Sequence, residues 1–298
     1  MNETRCGIIA IVGAPNAGKS TLMNALVGAK VAIVSRKAQT TRTRTLGITV
    51  SGNAELVFVD TPGIFEPRRR LDRAMVAAAW SGAGDADMVL LIVDASRRQD
   101  EETARIITRL SNTGRTLILV LNKVDAVKRE ILLQKSADLN KQATFAATFM
   151  ISALTGDGVD DLKSYLAQNV PPGPWLYPED QLSDISERLL AAEITREKIY
   201  EQLHDELPYA STVETESWEN RKDGSAKVSQ VIFVEKDSQK AIVIGKGGAR
   251  LKEIGQAART ELESLLGRKI HLFLFVKVRE NWGDDRDRYR AIGLDYVD

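Results

Sequence analysis

The residues Gly13-Ala14-Pro15-Asn16-Ala17-Gly18-Lys19-Ser20 meet every fixed position of the phosphate-cradling pattern G-x-x-x-x-G-K-[ST]. The chemistry dictates these residue types. Glycines let successive backbone N–H groups close around a phosphate chain, and a helix starting at the lysine adds the positive end of its dipole. Lys19 is expected to reach the β- and γ-phosphates and the Ser20 hydroxyl to hold Mg²⁺, with Thr21 completing the nucleotide-binding set of this loop. The apolar run Ile8-Ile9-Ala10-Ile11-Val12 leads into the loop, and Thr21-Leu22-Met23-Asn24-Ala25-Leu26 leads out with helical spacing. This strand–loop–helix context is the one the motif requires.

Three further segments close apolar runs. Leu56-Val57-Phe58-Val59 leads into Asp60-Thr61-Pro62-Gly63, Leu117-Ile118-Leu119-Val120-Leu121 into Asn122-Lys123-Val124-Asp125, and Phe149-Met150-Ile151 into Ser152-Ala153. In open α/β sheets ligands bind outside the carboxyl ends of the strands, so four such loops can converge on one nucleotide. Asp60 suits a Mg²⁺ role, direct or through another ligand, and the Gly63 N–H can meet a γ-phosphate and sense its loss. Asn122 to Asp125 selects the base. The Asp125 carboxylate can accept from both N1–H and the 2-amino group of guanine, whereas adenine would leave that carboxylate unpaired. The Lys123 stem can lie along the ring, and the Ser152-Ala153 backbone can donate to O6. GTP is therefore expected over ATP.

With these motifs in this order, the sequence resembles a translation-factor-class GTPase, and most closely the bacterial Era family. Ser35-Arg36-Lys37-Ala38-Gln39-Thr40-Thr41-Arg42 matches that family's first switch segment. The resemblance covers nearly the whole chain. It implies a slow GTPase switching between GTP and GDP states, which binds 16S rRNA near its 3′ end and assists 30S subunit assembly. It also implies a monomer in the cytoplasm with some peripheral attachment to the inner membrane. Thr41 fits the switch threonine that completes Mg²⁺ coordination; Thr40 is the alternative, and Thr43 is less consistent with the family pattern. Ile64 stands where Ras-like proteins carry a water-orienting glutamine, so the water must be placed another way. Catalytic assistance falls to Lys19, Asn16, Thr41 and Gly63. Asn16 has two readings: it helps bind a K⁺ ion bridging the phosphates, as in related GTPases with Pro-Asn-x-Gly-Lys-Ser loops, or it stabilises the loop.

Composition bounds the rest. The chain has 298 residues, room for two domains with separate cores. Its 41 basic and 41 acidic residues cancel, so net charge names no partner. Locally, Glu3 is the only acid before Glu55, against Arg5, Lys19, Lys30, Arg36, Lys37, Arg42 and Arg44, a field suited to a triphosphate. The single cysteine, Cys6, excludes an intramolecular disulfide and reads as a small core residue. His204 and His271 lack Cys neighbours at zinc spacing. The first strand begins at once, which argues against a signal peptide, and no apolar run approaches the ~20 residues of a membrane span. No arrangement of nucleophiles suggests a covalent intermediate.

Alternating strand and helix patterns predict a doubly wound α/β domain over 1–172, with strands near 6–12, 45–51, 55–60, 88–94, 116–121 and 147–151. Helices are expected near 19–28, 70–82, 100–112, 128–142 and 158–168. Pro171-Pro172-Gly173-Pro174 breaks the pattern and opens a linker, 173–183. Residues 184–298 then give an α-β-β-α-α-β order with Gly245-Lys246-Gly247-Gly248 between two helices, which resembles a type II KH domain followed by a solvated tail, 284–290. Glycines there would let a phosphodiester backbone press on main-chain N–H groups. Between Lys236 and Arg279 lie ten basic residues against four acids, and Lys246, Arg250 and Lys252 flank the loop itself. Two rivals remain open: a metabolic P-loop kinase, which would leave Asn122 to Asp125 unexplained, and a GTPase scaffold whose second domain binds protein or membrane.

Overall fold

The computed structural model describes residues 3–35, 37, 40–67, 69–97, 101–204, 207–280, 282 and 294–296. Arg36, Ala38 and Gln39 of the first switch segment, and the tail 284–290, lie outside the described residues. Runs of Ile, Val and Leu bounded by Gly, Pro and Asp form the strands β1 (Arg5–Val12), β3 (Ala54–Asp60), β4 (Met88–Asp94), β5 (Thr116–Asn122) and β6 (Ala147–Ile151). These five pair in parallel, and β2 (Thr45–Ser51) runs antiparallel on β3. The order is β2-β3-β1-β4-β5-β6, so the chain leaves the central β1 first to one side and then to the other. The crevice beside β1 is therefore the switch point at which such sheets bind ligands.

Side chains alternate between two apolar layers. Ile9 and Ile11 of β1 pack with Leu22 and Leu26 of α1 (Lys19–Val27) and Leu162 and Leu166 of α5 (Val159–Asn169). Ala10 and Val12 face the opposite layer, where Ala79 and Ala83 of α2 (Arg70–Asp85), Ile106 of α3 (Glu101–Ser111) and Leu132 of α4 (Arg129–Asn140) lie. With both faces covered, the strand ends are held rigidly and only the loops beyond them face ligand.

The second sheet orders as β7-β8-β9, from β7 (Ser211–Asn220), β8 (Ala226–Val234) and β9 (Ile270–Val278). β7 is antiparallel and β9 parallel to β8. One face is covered by α6 (Glu187–Gln202) and α8 (Ala249–Leu266), against which Ala226, Val228, Ile232 and Val234 pack. α7 (Asp237–Ile244) and a single 3₁₀ turn, Lys246–Gly248, precede α8. This is the α-β-β-α-α-β order expected of a type II KH domain.

The chain divides into two compact units: Met1–Ala32 with Thr41–Asp184 and Gly293–Asp298, and Ile33–Thr40 with Ile185–Ile292. Two features differ from the expected boundaries. Residues 33–40 group with the second unit. The expected linker, 173–183, is bound to the first unit by a buried acid. Glu55 of β3 is fully buried, and its carboxylate accepts from the N–H groups of Leu176 (2.7 Å) and Tyr177 (3.1 Å) and from Cys6 Sγ (3.1 Å). Further along, the Ile48 N–H donates to the Leu182 carbonyl (2.8 Å) and Ser183 Oγ to the Leu46 carbonyl (2.6 Å). Prolines stop the helix, but buried hydrogen bonding keeps the segment on the sheet.

Burial and the adjacent Glu55 carboxylate push the Cys6 thiol up to about 12. The reactive species is the thiolate. Iodoacetamide at pH 8.5 is therefore expected to alkylate native Cys6 at least ~100-fold more slowly than the urea-unfolded chain. Comparable rates, read by mass spectrometry, would contradict this packing.

Candidate functional site

The phosphate loop hangs between β1 and α1. The Ala17 N–H returns to the Ala14 carbonyl (3.3 Å), while the Asn16 backbone takes a left-handed φ of 63°. Inside this loop Lys19 is buried, its Nζ donating to the carbonyls of Gly13 (3.1 Å) and Ala14 (3.0 Å). Burial pulls Lys19 down to about 8, against the nearby Asp60 carboxylate, which favours its charge. A phosphate chain would add further counter-charge to this buried ammonium.

Three oxygen donors meet at the mouth of the loop. Ser20 Oγ donates to Asp60 Oδ2 (2.5 Å), and Thr41 Oγ1 lies 2.9 Å from Ser20 Oγ and donates to the same Asp60 oxygen at 3.3 Å. Asp60 is fully buried, and its other oxygen, Oδ1, has no hydrogen-bond partner among the described residues. Burial raises its pKa despite the opposing bonds from Ser20, Lys19 and Thr41. An orphaned buried carboxylate oxygen is costly, and hydroxyl plus carboxylate oxygens are the donor set a hard cation such as Mg²⁺ takes. Thr40 points elsewhere, with its Oγ1 donating to the Lys37 carbonyl (2.9 Å). Of the threonines left open by the sequence, Thr41 is therefore the one brought to Ser20 and Asp60. Thr61 Oγ1 donates to the Ile11 carbonyl (2.8 Å), and after Pro62 and Gly63 the Ile64 N–H donates to the Gly13 carbonyl (3.2 Å). The Ile64 side chain is buried in the apolar layer of α2.

At the other end, the buried Asn122 carboxamide ties three loops together. Its Nδ2 donates to the Ala17 carbonyl (2.9 Å), and its Oδ1 accepts from the N–H groups of Lys123 (2.8 Å) and Ala153 (2.9 Å). Gly18, at φ 97°, passes so close that a Cβ there would lie 2.2 Å from Asn122 Nδ2. Lys123 Nζ reaches back to the Asn16 carbonyl (2.8 Å) and to Asp94 Oδ2 (2.7 Å). Asp125, on the 3₁₀ turn Val124–Ala126, is exposed. The expectation for Ser152-Ala153 is altered. The Ser152 N–H donates to the Asp157 carbonyl (2.9 Å) and that of Ala153 to Asn122, so both amides already serve to hold the loop.

Asp94 was not singled out by the sequence. Burial would raise its pKa, but hydrogen bonds from Lys123 and Ser96 hold it below the usual carboxylate range. The available signal was positional: Asp94 closes β4 in register with Asn122, which closes β5.

In the second unit, α7 ends at Gly245 with φ 73°, where an added Cβ would sit 2.8 Å from that of Arg250. The 3₁₀ turn follows, and α8 starts directly after it. Lys246, Gly247, Arg250 and Lys252 are exposed, with Ile242 half-exposed beside them. Among the described residues no cluster of His, Cys, Asp and Glu could hold a metal without further ligands.

A phosphate loop, a hydroxyl–carboxylate cluster and a base-end clamp on this sheet define a P-loop GTPase, here joined to a KH domain. A family model described as a 50S ribosome-binding GTPase matches residues 8–123, and a KH-domain model matches 206–283. GTPase Era of Bradyrhizobium diazoefficiens is 61% identical over 293 residues, 98% of this chain and 95% of its own. GTPase Era of Rhizobium meliloti is 59% identical over 98% of this chain and 94% of its own. A crystal structure of Era with MgGDPNP and nucleotides 1506–1542 of 16S ribosomal RNA superposes with a TM-score of 0.92 at 37% identity, covering 97% of this chain and 99% of that one. A single-residue variant of Aquifex aeolicus Era bound to GDP·AlF4⁻ gives 0.91 at 38%, with the same coverage. The chain belongs to the Era family of GTPases.

Thr41→Ala is expected to lower Mg²⁺-dependent GTP turnover by roughly tenfold or more, and Thr40→Ala, which keeps the Thr40 carbonyl, by no more than about threefold. Equal losses in a phosphate-release assay would contradict the distinction.

Proposed function

We infer that this protein is a GTP-hydrolysing switch of the cytoplasm that binds 16S rRNA near its 3′ end and assists 30S subunit assembly as a monomer. The observation that carries the reading is the match of 97% of the chain to an Era structure holding that RNA segment and a GTP analogue. The residue chemistry supports its nucleotide-binding part and the contact with a phosphodiester backbone.

Gly13 to Thr21 wrap the phosphates, and Lys19 gives up its loop carbonyls to meet the β- and γ-oxygens. Ser20 and Thr41 supply hydroxyls for Mg²⁺, with Asp60 behind or beside them. Bound there, Mg²⁺ neutralises charge developing between the β- and γ-phosphates. Gly63 offers its N–H to the γ-phosphate, so loss of that group frees the segments around 41 and 63. Asn16, at the turn of the loop, would either help hold a K⁺ ion beside the phosphates in place of an arginine finger or stabilise the loop. Asn122 orders the loops, Lys123 lies along the base, Val124 backs the turn and Asp125 reads the guanine edge. With Ile64 buried, no side chain at that position orients water, in keeping with slow intrinsic turnover.

Gly245, Lys246, Gly247 and Gly248 clamp the RNA backbone, and Arg250 and Lys252 add charge along α8. Peripheral attachment to the inner membrane would use a surface of the folded protein, because among the described residues no helix is long and apolar enough to cross a membrane.

Gly247→Asp tests the RNA reading. Gly247 is exposed at φ 60°, and a Cβ there meets nothing within 4 Å. Asp tolerates that conformation better than most residues. The variant is expected to bind GTP within about twofold of the parent and to lose at least ~10-fold in affinity for a 3′-terminal 16S rRNA oligonucleotide, with a shallower salt dependence. Undiminished RNA affinity, or none in the parent, would favour a scaffold that binds protein or membrane.

A further inference from the structure

Among the described residues, Asn16 and Lys123 are the two non-glycine residues with a left-handed backbone, at φ 63° and 66°. Asparagine enters that region several-fold more readily than most residues, but lysine has no such preference. Such a conformation persists only where its surroundings hold it. One ammonium group joins the two positions. Lys123 Nζ donates to the Asn16 carbonyl at 2.8 Å and to Asp94 Oδ2 at 2.7 Å.

The surroundings of Asp94 fix where that ammonium goes. Asp94 is buried at the end of β4, beside Asn122 at the end of β5. Its Oδ1 accepts from the Ser96 N–H (2.9 Å) and from Ser96 Oγ (2.6 Å), which sets the carboxylate's orientation and turns Oδ2 to Lys123. Arg97 Nε stands farther from that oxygen, at 3.6 Å. The loop is itself tied down from α4. Lys135 Nζ donates to the carbonyls of Asp94 (2.8 Å), Ala95 (3.4 Å) and Arg97, and the Ala95 N–H donates to the Asn122 carbonyl (2.8 Å). All of these groups belong to the first unit. The Lys123 side chain, by contrast, is 37% exposed. A lysine is a point charge on a flexible stem, so the stem takes one path only where its end is held. Here a buried, oriented carboxylate and a phosphate-loop carbonyl hold it together.

We propose that Asp94 is a positioning residue for guanine-nucleotide binding: by holding the Lys123 ammonium against the Asn16 carbonyl, it lays the lysine stem along the base and sets how long the nucleotide stays. Asp94 acts through Lys123 and makes no contact with the nucleotide itself. Reading of the guanine edge remains with Asp125, so loss of Asp94 shortens the residence of purine nucleotides without changing which purine is preferred. The proposal rests on the reading of Lys123 and Asp125 as the base-end residues.

The test is a double-mutant cycle in full-length protein, read as the rate at which N-methylanthraniloyl derivatives of GDP and IDP are released into excess unlabelled nucleotide. The variants are Asp94→Asn, Lys123→Ala and the two combined. Asparagine keeps an acceptor for Ser96 but turns an NH₂ toward the ammonium, so the ion pair is lost with little change of shape. Each single variant is expected to speed GDP release about tenfold, and the combined variant no more than about threefold beyond Lys123→Ala. The ratio of GDP to IDP release rates should stay as in the parent for Asp94→Asn. Ser96→Ala, which loosens the carboxylate without touching Lys123, is a milder second variant for use if Asp94→Asn folds poorly. It should speed release about two- to threefold, and not at all in the Lys123→Ala background. Unchanged release in Asp94→Asn, or effects that multiply to ~100-fold in the combined variant, would overturn the proposal while leaving the base-end reading intact. Unchanged release in Lys123→Ala would instead remove that reading, and the proposal with it.

Discussion

One carboxamide holds the nucleotide end of this fold together. Asn122 spends both halves of its side chain on backbone groups, with Ala17 of the phosphate loop on one side and Lys123 and Ala153 of the base-end loops on the other. Replacing it with an apolar residue would strand a buried carbonyl and a buried N–H at once, each a penalty of about 1–3 kcal/mol. The geometry also dictates glycine at position 18, since the amide occupies the space of a side chain. Lys123 adds a second tie, from Asp94 to the Asn16 carbonyl. Loops that would otherwise move independently therefore present one surface to the ligand.

The two ends of that surface obey different physics. At the phosphate end, a buried lysine and a buried carboxylate with an unsatisfied oxygen sit within one cluster, an arrangement that is unfavourable until anion and cation arrive together. At the base end the Asn122 carboxamide and the Ser152 and Ala153 amides are bonded within the loops, whereas Asp125 is exposed. Occupancy by a triphosphate thus changes the energetics chiefly around Ser20, Thr41 and Asp60.

Much of this was legible in the sequence because the chemistry leaves little latitude. Phosphate-binding glycines, the lysine and the Mg²⁺ hydroxyl must fall at fixed spacing after a strand, and β1, the loop and α1 do so. The two-fold and 3.6-fold apolar periods likewise marked the sheet and helices, since buried faces demand them. What stayed hidden depends on tertiary partners. Prolines at 171–174 signalled a linker, but the acid at Glu55, inside an otherwise apolar strand, is what binds the following segment to the sheet. Ser152 and Ala153 sit at the expected strand end, yet where their amides point depends on Asp157 and Asn122. The bonds that join Val34, Lys37 and Thr40 to Glu197, Tyr200 and Arg196 of α6 span about 160 positions, and no local pattern records them.

Guanine is expected to be read by the exposed carboxylate of Asp125 while the loops around it are held from within. Calorimetric titration of the Asp125→Asn protein with GTP and with xanthosine triphosphate addresses this directly. The expected result is a loss of GTP affinity of about 100-fold or more with a matching gain for the xanthine nucleotide. A variant that still prefers GTP, or a parent protein that binds ATP as tightly as GTP, would contradict it.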